Sequence, residues 1–172
     1  MLCKSIGFLA VLGLVAIAGP ARAQTLKLGY VDLQKALTSV EDGKAAKAKL
    51  EKAVKAKQVE FDKMQDDLKK LKDELEQQAA IMKDDLKRQK IQDYQRRLME
   101  LQEYYLGNQK ELAEQEAKLT KPIFDRFEKI LKKLGKDEGY TLIVEKAAAV
   151  YAAASIDVTD RLIREYNAGG GK

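Results

Sequence analysis

The residue types that carry most enzymatic chemistry are absent or misplaced in this chain. Its 172 residues include no His, which removes Ser-His-Asp and Cys-His triads, imidazole metal ligands and a proton shuttle near neutral pH. The one Cys, Cys3, allows neither a disulfide framework nor a Cys-rich zinc site. Asp42-Gly43-Lys44 is no phosphate loop, because Thr38 stands where the first glycine of that motif belongs and Ala45 replaces its Ser/Thr. Asp66-Asp67 and Asp84-Asp85 are neighbours on expected helices and point apart, so neither is a carboxylate dyad. No catalytic constellation remains, and neither a metal nor a cofactor is expected.

What the chain offers instead is charge and helix formers. Lys plus Arg number 32 and Asp plus Glu 27, giving +5, with 34% charged and 45% hydrophobic residues, two Pro and no Trp. Such a composition marks long helices or coiled coil. Six cations, Lys83, Lys87, Arg88, Lys90, Arg96 and Arg97, stand against Asp84, Asp85 and Asp93, a local excess of three, whereas Glu41 to Glu76 holds ten of each sign. Two readings stand. The patch is a basic surface for acidic clients or anionic lipid or lipopolysaccharide head groups, or it is a solvated helix face. Phe61, Met64, Tyr94 and Tyr105 fall on the apolar seam and are expected to pack within the arm. Met99 and Tyr104 fall off it and are the candidates for contact with a varied partner.

The elements that would position these residues follow from periodicity. Lys4, the apolar run Ile6 to Ala18, Gly19-Pro20 and Ala21-Arg22-Ala23 form a secretory signal peptide, cut after Ala23. The run is 13 residues, short of the ~20 that span a bilayer. Cys3 precedes it, which argues against a lipid anchor. Cleavage would leave Gln24 to Lys172, cysteine-free, with charge 30 − 27 = +3, in the periplasm of a Gram-negative cell. Leu26 to Val31 alternates as a strand with Leu26, Leu28 and Tyr30 on one face, and Asp32 caps a short helix. From Glu41 to Gly135 apolar residues recur at 3–4 spacing: Leu50, Val54, Phe61, Met64, Leu68, Leu71 and Leu75, then Ile91, Tyr94, Leu98, Leu101, Tyr105 and Leu112. This is coiled-coil patterning. It lapses at Lys57 and at Asn108. The 4-and-4 steps at Leu119, Ile123 and Phe127, with Pro122 among them, predict a kink or a change of packing partner. Gly107 and Pro122 are the hinge candidates. The seam fades before Asp84-Asp85, which suit a helix N-terminus, so the helix folds back as a hairpin. Tyr140 to Glu145 and Val150-Tyr151 read as two more strands. Asp157 caps a closing helix from Val158 to Tyr166, with Asp160 at the capping-box position.

The fold class expected is therefore α+β, mostly α: a small β body with a long helical hairpin inserted. The boundaries are 1–23 signal peptide, 24–40 and 137–167 oligomerisation body, 41–136 arm with its tip near 78–84, and 168–172 disordered tail. Two short segments make a marginal core, which oligomerisation would remedy through Leu28, Tyr30, Leu142, Val144, Val150 and Tyr151.

This organisation resembles the Skp/OmpH family of periplasmic chaperones. The resemblance rests on Tyr30-Val31-Asp32-Leu33-Gln34 after the signal peptide, the Lys/Glu/Gln/Leu hairpin, Gly139 to Val144 with Ala149-Val150-Tyr151, and Asp157-Val158-Thr159-Asp160 opening the last helix. It implies a homotrimer, a jellyfish-like body with three tentacles around a cavity, that holds unfolded outer-membrane proteins without ATP. The hairpin tip departs from the family in lacking a Gly-containing turn. A coiled-coil envelope spacer without clients is the structural alternative. A basic nucleic-acid binder is a third reading, against which the signal peptide argues.

Overall fold

Leu28–Val31 (β1) and Leu142–Glu145 (β2) are the two strands, and they pair in parallel with Leu28 opposite Leu142 and Val31 opposite Glu145. Parallel neighbours need a crossover connection. Here that connection is the helical hairpin itself. The computed structural model describes residues 26–78 and 80–172; the expected signal peptide lies outside the described residues. Between the strands run α1 (Leu33–Ser39), α2 (Glu41–Gln78) and α3 (Asp84–Asp137), and α4 (Thr159–Asn167) closes the chain.

Each helix begins where its sequence supplies an acceptor or an anion. The Asp32 carboxylate accepts from the Lys35 N–H at 2.8 Å, capping α1. Glu41 and Asp42 occupy the first turn of α2, and Asp84 and Asp85 that of α3, at the positive end of each helix dipole. Between α1 and α2 the corner is tight: a Cβ on Gly43 would sit 1.7 Å from the Leu37 carbonyl oxygen, so only glycine fits. The hairpin turns where the seam fades, with Ile81 and Met82 donating backbone N–H groups to the Gln78 carbonyl.

α3 stays one helix through Pro122, and its packing partner changes there. Up to Leu119 it faces α2; from Ile123 its apolar stripe enters the body. Ile123, Phe127, Ile130 and Leu134 pack with Val31, Ala36, Val40, Val158, Leu162 and Tyr166 in one core. Phe127 meets Tyr166 edge-on at 5.2 Å and Phe124 at 5.9 Å.

Both ends of the described chain are tied together by polar contacts. Thr159, fully buried, accepts from the Asp32 N–H through its hydroxyl at 2.8 Å. Lys146 reaches the Asp32 carboxylate at 2.9 Å. Glu138 receives Lys27 and Arg161.

On β1, Leu28 is exposed and Tyr30 buried, Val31 enters the core from the opposite face, and the Tyr30 carbonyl accepts from the Val158 N–H. Three features differ from the sequence expectation. Val150 and Tyr151 form no strand and stand fully exposed between two short 3-10 turns, Lys146–Ala148 and Ala154–Ile156. Asp157 accepts from Thr159 N–H, two residues on, as an Asx turn with Val158 at the cap position, and Asp160 pairs with Lys35 instead of reaching back. Finally, the tail at 168–172 is tied down rather than loose. Arg126 donates to the Gly170 carbonyl at 2.5 Å and the Tyr166 carbonyl at 2.6 Å while lying over the Tyr166 ring.

Candidate functional site on the helical arms

α2 and α3 lie against each other along the arm, and side-chain burial shows which residues form the seam. On α2 the covered positions are Leu50, Ala53, Lys57, Phe61, Met64, Leu68, Leu71 and Leu75. On α3 they are Leu101, Tyr104, Asn108, Leu112, Gln115 and Leu119, with Tyr94 nearer the tip. The two polar lapses meet. Lys57 Nζ donates to Asn108 Oδ1 and binds Glu111 Oε2, both at 2.6 Å. Its hydrogen bond to Glu111 holds the ammonium above its usual pKa, and the same contact holds the Glu111 carboxyl below the ordinary carboxylate range.

This shifts the roles of two neighbouring tyrosines. Tyr104 takes the seam position, with its hydroxyl near the Lys57 carbonyl at 3.3 Å and donating to Glu60 at 3.0 Å. It is a strut between α2 and α3 and does not face outward as its sequence position suggested. Tyr105 turns out, 52% exposed, beside Phe61 at 5.9 Å. An unbroken 3–4 alternation from Leu101 would put Tyr105 inside; the covered positions step 4 and 4 through Tyr104, Asn108 and Leu112 instead. Leu106, 65% exposed, continues the outward face. Phe61, Leu101, Gln102, Tyr105 and Leu106 line an open groove of about 410 Å³. Met99 is exposed, one turn tipward of this groove.

The basic patch is largely paired. Arg88 binds Asp85 at 2.7 Å, Lys90 crosses to Glu74 on α2, Arg96 binds Asp93 and Glu100, and Arg97 binds Asp93 at 2.9 Å. Burial opposes ionisation of Asp93, but Arg96 and Arg97 outweigh it and lower its pKa. Most of these pairs are i,i+3 or i,i+4 contacts that a helix makes automatically. Among the described residues, Lys83 and Lys87 make no ion pair. Ile81, in the turn that precedes α3, is an apolar side chain 85% exposed. Ile81 and Leu106 are not among the candidates above, yet both are apolar residues off the seam, which is the signal that finds them.

At the body, Leu26, Leu28, Leu142, Val150 and Tyr151 are all exposed, while Val144 is half-covered. Gly107 has open space around it and Pro122 marks the arm–body junction. No group of three or more His, Cys, Asp or Glu among the described residues could hold a metal ion. No helix among them is long and apolar enough to cross a membrane.

A two-strand parallel body split by a long α-helical hairpin defines a class of elongated α+β proteins. Within it, the model of the OmpH-like outer membrane protein family matches residues 27–166, and the chain belongs to that family. The crystal structure of a Caulobacter crescentus CB15 protein, described as an OmpH-like outer membrane chaperone, shares the fold. Its TM-score is 0.71 at 18% identity, over 91% of each chain. No match to a curated protein sequence was found.

Proposed function

We propose that this protein is a periplasmic, ATP-independent holdase chaperone that captures unfolded outer-membrane proteins between helical arms and prevents their aggregation. The observation that carries this reading is the outward apolar face of the arm, Phe61, Leu101, Tyr105 and Leu106, on a two-helix support. An unfolded barrel strand alternates apolar and polar residues and carries no fixed shape. Many shallow apolar contacts, each reversible, hold such a chain by effective concentration where single contacts would not. Exported, cysteine-free after cleavage at Ala23, the chain would meet its clients in the periplasm.

The assembly is a homotrimer in this reading. A two-stranded sheet is marginal alone, and the exposed Leu28, Leu142, Val150 and Tyr151 give it an apolar rim for neighbouring subunits. Three arms would then enclose a cavity. Lys83 and Lys87 at the tips attract acidic clients, anionic lipid or lipopolysaccharide, with Met99 adding adaptable apolar contact.

The test is dilution of a urea-unfolded outer-membrane barrel protein into buffer with and without the mature chain, lacking nucleotide, with light scattering followed. Suppressed scattering is expected; unchanged aggregation defeats the proposal. Solution mass should give three copies, and a monomer defeats the cavity. A client-free spacer would show a mass-independent rod in scattering and no suppression.

A further inference from the structure

α3 carries a second seven-residue repeat beside the seam that meets α2. Gln95, Gln102 and Gln109 recur at that spacing, and Leu98, Tyr105 and Leu112 recur between them. The steps run 3, 4, 3, 4, 3, the pattern of a helix-packing seam. Leu112 is half-buried in the arm, whereas Gln95, Leu98, Gln102, Tyr105 and Gln109 are exposed. Met99, Leu106 and Ala113, again spaced by seven, widen the stripe and are exposed as well. None of these residues is charged, in a chain with 34% charged residues. The acids of the same turns, Glu100 and Glu103, lie ~140° and ~160° round the helix from Tyr105 at ~100° per residue. Beside the stripe on α2 stand Val54, Gln58 and Phe61. Lys57, the cation at that edge, is engaged by Asn108 and Glu111.

Three properties of the stripe choose its occupant. A 3–4 period fits a helix, whereas an extended chain repeats every two residues. An uncharged stripe faces an identical copy with no like-charge contact. Glutamine carries both donors and an acceptor, so a Gln opposite the same Gln is satisfied, while a Gln buried opposite Leu is not. Parallel, in-register pairing sets Gln95, Gln102 and Gln109 each against its own copy, and Leu98 and Tyr105 against theirs. Antiparallel pairing sets Gln95 against Leu112 and Leu98 against Gln109. Parallel is also the direction of arms that leave one common body. From Gln95 to Ala113 the stripe is ~27 Å long. At a helix width of ~10 Å it offers ~270 Å² per copy, far below the ~800 Å² per partner of a stable complex. It therefore joins only arms already tethered together, where effective concentration does the rest.

We infer that this stripe is a second coiled-coil seam whose partner is the same stripe of a second copy, the two arms lying parallel and in register. The inference rests on the proposed assembly of copies through their bodies. The pairing covers Leu98, Met99, Tyr105 and Leu106 when no client does, so capture competes with it.

Residues 24–172 contain no Cys, which suits disulfide crosslinking of single-Cys variants of that chain. Gln102→Cys should link two chains roughly tenfold faster than Glu114→Cys on the opposite face of α3, because only the first is held against its copy. Adding Leu98→Lys and Tyr105→Lys, with the fold checked by circular dichroism, should bring Gln102→Cys down to the Glu114→Cys rate. The double variant Gln95→Cys with Gln109→Cys should yield disulfides joining 95 to 95 and 109 to 109, read by peptide mass spectrometry. Disulfides joining mainly 95 to 109 overturn the parallel register. Equal rates for Gln102→Cys and Glu114→Cys, in a chain whose solution mass is that of an oligomer, overturn the inference and leave the assembly standing. A monomeric mass overturns both.

Discussion

Replacing Phe127 with Ala separates the stability of the body from the integrity of the arms. Phe127 is 1% exposed and meets Tyr166 and Phe124 with ring edges at 5.2 and 5.9 Å. It bridges segments from both ends of the chain, with Val31, Ala36 and Val40 in the same core as Val158 and Leu162. Truncating a buried Phe to Ala costs ~3–5 kcal/mol through lost transfer energy and a cavity. The two aromatic contacts, worth ~0.5–1.5 kcal/mol each, place this site in the upper part of that range. Against a total of ~5–15 kcal/mol for a domain, that is a large share, and it corresponds to a fall of roughly 10–20 °C in melting temperature. Ellipticity at room temperature should change little, because α1 and α4 are 7 and 9 residues beside arms of 38 and 54. Phe61→Ala is the control. Phe61 is only half-buried against the outward groove, so its loss should cost ~1–2 kcal/mol and fall on client capture instead. Melting by circular dichroism and light-scattering suppression are run on both. A drop of less than about 5 °C for Phe127→Ala, or equal drops for both, would refute the view that the body folds as one unit around Phe127.

Two glycines should respond in opposite directions in urea denaturation. Gly43→Ala drives a methyl into the Leu37 carbonyl and should destabilise by ~1–3 kcal/mol or more, whereas Gly107→Ala meets open space and should stabilise by up to ~1 kcal/mol. Asp32, held below its ordinary pKa by the Lys35 N–H and Lys146, and Asp157, held down by Thr159 against the opposing effect of burial, contribute stability above the unfolded carboxylate pKa of about 4. That contribution is lost as pH falls through their lower folded values. With no His in the chain, urea midpoints should be flat from about pH 5 to 8 and drop only below; a midpoint shift near pH 6 contradicts this. Lys83→Glu with Lys87→Glu should weaken capture of an acidic client at low salt and lose its effect at high salt. Neutralising Arg96 and Arg97 to Gln should do less, since both already face Asp93; equal effects would mean that the ion pairs leave the field unchanged.

Periodicity and composition by themselves determined that this chain is a hairpin inserted in a small body. The apolar spacing, the scarcity of Pro and Gly, and the acids at 84–85 placed both helices and the turn, because helices depend on contacts a few residues apart. Asp32 as a cap was legible for the same reason. The two seam lapses were visible as isolated polar residues, Lys57 and Asn108. That they are partners 51 residues apart was decided by the tertiary structure, since nothing local encodes which layer of one helix meets which layer of the other. The same applies to Tyr104 and Tyr105: a strict 3–4 count put the wrong ring inside, and only the shared 4-and-4 step rotates Tyr104 onto α2. In the body, Thr159 holding the Asp32 N–H and Arg126 holding the tail join segments more than 40 residues apart. In β1, four residues are too short to show which face is covered, and α3 and α4 supply the cover that names the inner side.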